Sequence, residues 1–158
     1  MSEAYKTNFK HLAELEAKVG QELGVSPWMK ITQEKINQFA EATNDSQWIH
    51  VDPERSAKES PYKTTIAHGF LVLSLASYFT YETFSCEDVG MGVNYGLDKV
   101  RFMNATPVNA DIRGKVSLMS FESIPGGAKY KVKIVFELKG VEKPACVAEF
   151  LAIAYTKR

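Results

Sequence analysis

Residues 67–84, AHGFLVLSLASYFTYETF, decide the fold. The stretch is apolar around most of its circumference, which for a helix means burial on nearly all sides. His68, Ser74 and Ser77 interrupt it, so it is too short and too polar for a membrane span. We therefore expect a central helix over 68–83, buried by whatever the rest of the chain forms.

The chain beyond this helix reads as strand. KYKVKIVFEL, residues 129–138, alternates strictly, with Tyr130, Val132, Ile134, Phe136 and Leu138 on one face and lysines and a glutamate on the other. Period two of this kind marks a half-buried antiparallel strand. ACVAEFLAIAY (145–155) is apolar on both faces and is expected at the centre of a sheet. GVNYGLDKVRF (92–102) and ADIRGKVSLMSF (110–121) supply two more strands, and IPGGA (124–128) reads as a turn. Helices first and a four-strand meander over 91–156 argue for an α+β class. A sheet curled around one helix leaves an edge or a face to cover, so a homodimer is expected.

Ahead of the central helix, Phe9, Leu12, Leu15 and Val19 have helical spacing, which predicts a helix over 9–19 with Gly20 as its cap. SPWMKI (26–31) is expected to be extended, since Pro27 biases Ser26 away from helix. Thr32 is a good N-cap for a second helix carrying Ile36, Phe39, Ala40 and Thr43 on one face, and Asn44-Asp45-Ser46 should end it. Asp52 followed by Pro53 opens a further short helix. The whole chain, 1–158, is expected to be a single domain.

Composition narrows the function. Nineteen basic residues balance nineteen acidic ones, against a general nucleic-acid binder. The polar start lacks the apolar core of a secretory signal. Two cysteines, Cys86 and Cys146, have no paired spacing and are expected as reduced thiols in the cytoplasm.

The segment 44–60 holds the candidate chemistry and is expected to be a loop around a short helix. Asp45 precedes His50 by five residues, and a carboxylate and an imidazole within reach of one small molecule hold and activate a water between them. Gly69 falls in the first turn of the central helix, where backbone N–H groups have no intrahelical partner. Such groups polarise a carbonyl as charge builds on its oxygen. Each residue also has a plainer use: Asp45 as a turn residue, His50 as a hydrogen-bonded structural imidazole, His68 as a tautomer-locked packing group, and Gly69 as a site of tight helix–sheet packing. Metal binding would recruit Asp45, His50, His68 and Cys86, but without compact ligand spacing no metal is expected. There is no G-x-S-x-G elbow and no glycine-rich nucleotide cradle.

FAEATNDSQWIHVDPERSA (39–57) followed by TIAHGFLVLSL (65–75) resembles the MaoC-like dehydratases of the hot-dog fold, which include the (R)-specific enoyl-CoA hydratases. The family pattern of an aspartate, four residues, a histidine and a small residue six further on is met by Asp45, His50 and Ser56. QWIHVD (47–52) and NYGLDKVRF (94–102) resemble the nodulation-protein-N-like branch more closely. The resemblance implies a hot-dog fold and a dimer. It implies that Asp45 and His50 activate the water added to C3 of a trans-2-enoyl thioester, that the Gly69 N–H polarises the thioester carbonyl, and that Ser77 lies near the site. No metal or redox cofactor is implied; coenzyme A is the handle of the acyl-CoA substrate. Asn44, Gln47 and Trp48 depart from the glycine, asparagine and proline common in the group, which puts the loop's shape and acyl selectivity in question. A hot-dog thioesterase and a non-catalytic acyl-thioester binder are the alternatives. Lys63, Lys99 and Arg101 are possible partners for coenzyme A phosphates, or ordinary surface cations.

Overall fold

The computed structural model describes residues 2–158. Eight strands form its sheet: β1 (Tyr5–Phe9), β2 (Glu22–Val25), β3 (Met29–Lys30), β4 (Phe84–Cys86), β5 (Val89–Phe102), β6 (Asp111–Ile124), β7 (Gly127–Leu138) and β8 (Cys146–Thr156). The order is β4-β1-β2-β6-β7-β8-β5, with β3 paired to β6 off that path. All pairs are antiparallel except β1 with β4. The helices are α1 (Gln33–Thr43), α2 (Trp48–Val51), α3 (Pro53–Glu59), α4 (Gly69–Ser74) and α5 (Ala76–Thr83).

The alternation of β7 is realised: Val132, Ile134 and Phe136 are fully buried, while Lys133 on the other face is exposed. β8 lies between β7 and β5, as its two apolar faces require. Pro125 and Gly126 make the β6–β7 turn, with Gly126 at φ +80°, a conformation that costs glycine nothing. β5 differs from the expected meander. It pairs with β8 rather than with β6, because residues 103–110 form a long connection with no tight turn to fold it back.

The segment 68–83 packs on this sheet as two consecutive helices. Leu75 (ψ −5°) breaks the helix between α4 and α5. The Phe79 ring is fully buried and meets Phe136 edge-on at 5.7 Å. It seats against Gly114 on β6, where a Cβ would lie 2.5 Å from the Phe79 side chain. Burial is not complete all round. Phe70 and Tyr81 are 70% and 68% exposed, so the helical segment keeps one open apolar side in the single chain. Near it along β5, Met91, Val93, Tyr95 and Leu97 are exposed too. The sheet wrapped on this helical segment is the hot-dog arrangement.

The helix expected over 9–19 is smaller and of another kind. Phe9 ends β1, and Leu12–Lys18 is a 3-10 helix. Leu12 and Leu15 are the buried pair, and a spacing of three suits a helix of three residues per turn. Val19 points away from the core and is exposed. Thr32 caps α1 by accepting from the Lys35 N–H, and Asn44 ends it in the left-handed conformation. No helix in the described residues is long and apolar enough to cross a membrane.

Candidate functional site

The site grows from the end of α1. Asn44 turns the chain at φ 60°, and the Asp45 N–H returns to the Ala40 carbonyl, which places the Asp45 carboxylate in the open. His50 is not in a loop; it sits in α2, a single helical turn. Asp52 then caps α3 by accepting from the Arg55 N–H. Ser56, the small residue of the motif, is fully buried and donates to the Trp48 carbonyl at 3.2 Å. Trp48 is half-buried under the Arg55 guanidinium, 4.3 Å from its ring centroid.

His50 is buried and held on every side. Its Nδ1 lies 2.7 Å from the Ile66 carbonyl. A carbonyl only accepts, so Nδ1 carries the proton and Nε2 keeps a lone pair. The Gln33 amide donates to the His50 carbonyl at 2.7 Å while its oxygen accepts from the Thr65 hydroxyl at 2.6 Å. One side chain of α1 thus fixes both α2 and the segment leading to Gly69. Ile66 donates its N–H to Ile49 and bridges to Pro107, completing the clamp. Burial pushes the His50 pKa below 6.5, and the nearby His68 adds to that; the Ile66 carbonyl and Asp45 pull the other way. The imidazole is therefore neutral at neutral pH, the form a general base needs.

His68 joins the two candidate residues. Its ring stacks on His50, centroids 3.8 Å apart and planes 23° from parallel. Its Nε2–H donates to the main-chain oxygen of Asp45 at 2.9 Å. Its Nδ1 is buried with no hydrogen-bond partner. One ligand atom each from Asp45, His50 and His68 lie within 4.8 Å of one another. A shared ion would need to lie roughly 2.1 Å from both nitrogens, in the plane of each ring. Stacked rings hold their in-plane lone pairs side by side rather than convergent, so this geometry does not suit a metal.

Gly69 comes next and opens α4. Ala67, Gly69, Val72, Phe102, Met103 and Thr106 line a cavity of about 350 Å³ there. A Cβ on Gly69 would meet the Phe102 ring at 3.3 Å, so glycine keeps the backbone and that ring close together at the cavity wall. With only six residues in α4, individual N–H groups rather than a long helix dipole would do the polarising. Asp45 and His50 do not line this cavity; they adjoin it through His68. Ser77 is not part of it. It lies roughly 12 Å further along the helical segment, in a separate groove with Leu73, Asn94, Leu97 and Phe150.

Asp45, His50 and Gly69 were visible in the sequence; Gln33, Thr65 and Thr106 were not. Nothing in local spacing marks a glutamine whose amide bridges segments 17 and 32 residues away.

The chain matches the model of the MaoC like domain over residues 14–137. The chain belongs to this family. The MaoC-like domain is 45% identical over 142 residues to 3-hydroxyacyl-thioester dehydratase Z of Mycobacterium tuberculosis, covering 89% of this chain and 93% of that one. It is 41% identical over 146 residues to nodulation protein N of Rhizobium leguminosarum bv. viciae, covering 90% and 89%. Among solved structures, the unliganded (R)-hydratase of Pseudomonas aeruginosa superposes with a TM-score of 0.75 over 94% of this chain and 88% of its own, at 21% identity. The (R)-hydratase of A. caviae superposes at 0.67 over 85% and 94%, at 19% identity. At those identities the likeness is one of fold, and it is the hot-dog fold.

Proposed function

We propose that this protein is a hydratase/dehydratase that adds water reversibly across the double bond of a trans-2-enoyl-CoA to give the (R)-3-hydroxyacyl-CoA. The observation that carries the reading is the state of His50. Its Nδ1–H is committed to the Ile66 carbonyl, its pKa is lowered, Nε2 keeps a lone pair, and a ring nitrogen lies within 4.8 Å of an Asp45 carboxylate oxygen. The name of the 45% identical relative, a 3-hydroxyacyl-thioester dehydratase, supports the same reaction.

In this mechanism Asp45 and His50 hold one water. The imidazole takes a proton as the water oxygen bonds to C3. The electrons move through C2 to the thioester oxygen, which rests against the Gly69 N–H. A proton then reaches C2 on the same face, the carbonyl re-forms and the imidazole is neutral again. One water is consumed and no redox cofactor takes part. Ser77, in its mostly apolar groove, would meet the acyl chain rather than the thioester. The open apolar side made by Phe70, Tyr81 and the β5 side chains is proposed as the homodimer contact. The free thiols fit the cytoplasm as the site of action.

The test is hydration of crotonyl-CoA, monitored by loss of enoyl-thioester absorbance with free thiol measured in parallel. Wild type should turn over without thiol release, and Asp45→Asn and His50→Gln should each lose at least about a hundredfold in kcat. Thiol release would make the protein a thioesterase. Binding without turnover across a panel of longer enoyl-CoAs would make it an acyl-thioester binder.

A further inference from the structure

The helix that carries His50 has little of its own to hold it in place. α2 is four residues long, and no side chain caps it at Gln47. A single helical turn is marginal by itself, so its position is set from outside. The segment it faces is anchored from behind. The Thr65 carbonyl accepts from the Val108 N–H at 3.0 Å, and the Ala67 N–H donates to the Thr106 carbonyl at 2.8 Å. Between these two residues lies Ile66, whose carbonyl takes the His50 Nδ1–H. The state of His50 thus depends on how the one-turn helix is tied to the anchored segment.

One tie is the Ile66 N–H on the Ile49 carbonyl at 3.1 Å. A single bond acts as a hinge, and Gln33 supplies the second point. Thr32 already caps α1, which leaves the Gln33 side chain free of that task. Its amide donates to the His50 carbonyl at 2.7 Å and to Asn37 Oδ1 at 2.9 Å. Its oxygen accepts from the Thr65 hydroxyl at 2.6 Å. Thr65 is 1% exposed, so without Gln33 that hydroxyl has no water to turn to.

The stack on His68 does not replace this tie. Stacking fixes the plane of the His50 ring and leaves open which nitrogen carries the proton. A half-turn about Cβ–Cγ keeps the ring in the same plane and takes Nδ1 away from the Ile66 carbonyl. Only the spacing between the His50 main chain and that carbonyl makes the choice.

We propose that Gln33, working through Thr65, is a positioning residue of the reaction: it locks His50 as the Nδ1–H tautomer and so keeps the Nε2 lone pair free for the water. This rests on the hydratase reading, but the tautomer is read without turnover.

The experiment compares wild type with Gln33→Leu, Thr65→Val, the double variant and Thr65→Ser. Leucine is as good a helix former as glutamine, so α1 should persist, and circular dichroism checks the fold of each. The chain has three histidines, so nitrogen-15 labelling of the imidazoles reports on three rings. In the wild type His50 should be protonated at Nδ1 and His68 at Nε2. Gln33→Leu and Thr65→Val should each turn His50 into a mixture of tautomers while His68 keeps its Nε2–H. The kcat for crotonyl-CoA should fall about tenfold or more, with KM within about twofold. The double variant should be no worse than either single one, because the two residues act as a unit. Thr65→Ser should behave as wild type in both readouts. A single Nδ1–H tautomer in Gln33→Leu, a loss confined to KM, or additive losses in the double variant would each overturn the proposal. So would an unchanged kcat beside a mixed tautomer. If the wild type turns over no enoyl-CoA, the hydratase reading fails on its own. The spectra of Gln33→Leu then decide the lock: mixed tautomers uphold it, and a single one sinks it.

Discussion

The His68 ring lies on the His50 ring at 3.8 Å while its Nε2–H holds the main-chain oxygen of Asp45 at 2.9 Å. A single side chain thus orients both members of the proposed dyad, one through its face and one through its edge. His68→Phe keeps a ring for stacking and removes the bond to Asp45. We expect kcat for crotonyl-CoA to fall about tenfold, or about 1.4 kcal/mol in the barrier, with a small change in KM. An unchanged kcat would reduce His68 to a packing group.

His50 sets the response to acid. Its folded pKa lies below 6.5, so the unfolded chain takes up a proton at higher pH than the native one does. Stability is then fully present above 6.5 and is lost as pH falls from there toward the folded pKa. Activity should track the folded group: kcat/KM is flat near neutrality and drops only below pH 6.5. A rate that climbs through pH 7 to 8 would contradict the lowered pKa.

Two glycines should respond differently to alanine. At Gly114 the new Cβ would lie 2.5 Å from the fully buried Phe79, which has nowhere to go. Gly114→Ala should cost roughly 3 kcal/mol or more, seen as a large drop in Tm or in soluble yield. At Gly69 the obstacle is the Phe102 ring at 3.3 Å, which is 50% exposed and free to yield. Gly69→Ala should leave Tm within a few degrees and depress turnover instead.

Thr106→Val replaces an unpartnered buried hydroxyl by a methyl of nearly the same shape. Tm should rise, by an amount equivalent to about 1 kcal/mol. Thr106→Ser, which keeps the hydroxyl, should show no such gain, and an unchanged Tm in Thr106→Val would mean that the hydroxyl is satisfied in solution.

Burial pushes the Cys86 and Cys146 thiols up to about 11, with Asp88 and Glu14 adding to the shift at Cys86. The thiolate is the reactive form, so both should resist iodoacetamide at pH 8 in the native protein and react fully in denaturant.

The features that could be anticipated from the residues were local. Thr32 and Asn44 announce the two ends of α1 because capping is decided within a few residues. β7 shows itself by alternation because each of its faces has a uniform environment. β1 and β2 were missed: Tyr5–Phe9 and Glu22–Val25 are short, and pairing across the chain, not pattern, makes them strands. The same limit holds at the site. Asp45 and His50 gained weight through their resemblance to a known pattern, whereas the support from Gln33 and Thr65 depends on contacts that only the folded chain creates.

The beginning of the chain has an unusual tether. Arg113, 4% exposed and paired with Glu137 at 2.7 Å, donates to the Ser2 carbonyl across a separation of 111 residues. β1 likewise waits for β4, which comes after α5. During synthesis β1 meets β2 close by in sequence, but its other edge and the Ser2 tether have no partner until α5, β4 and β6 are made. Contacts this distant in sequence make for slow closure, so this edge of the sheet is among the last pieces to settle.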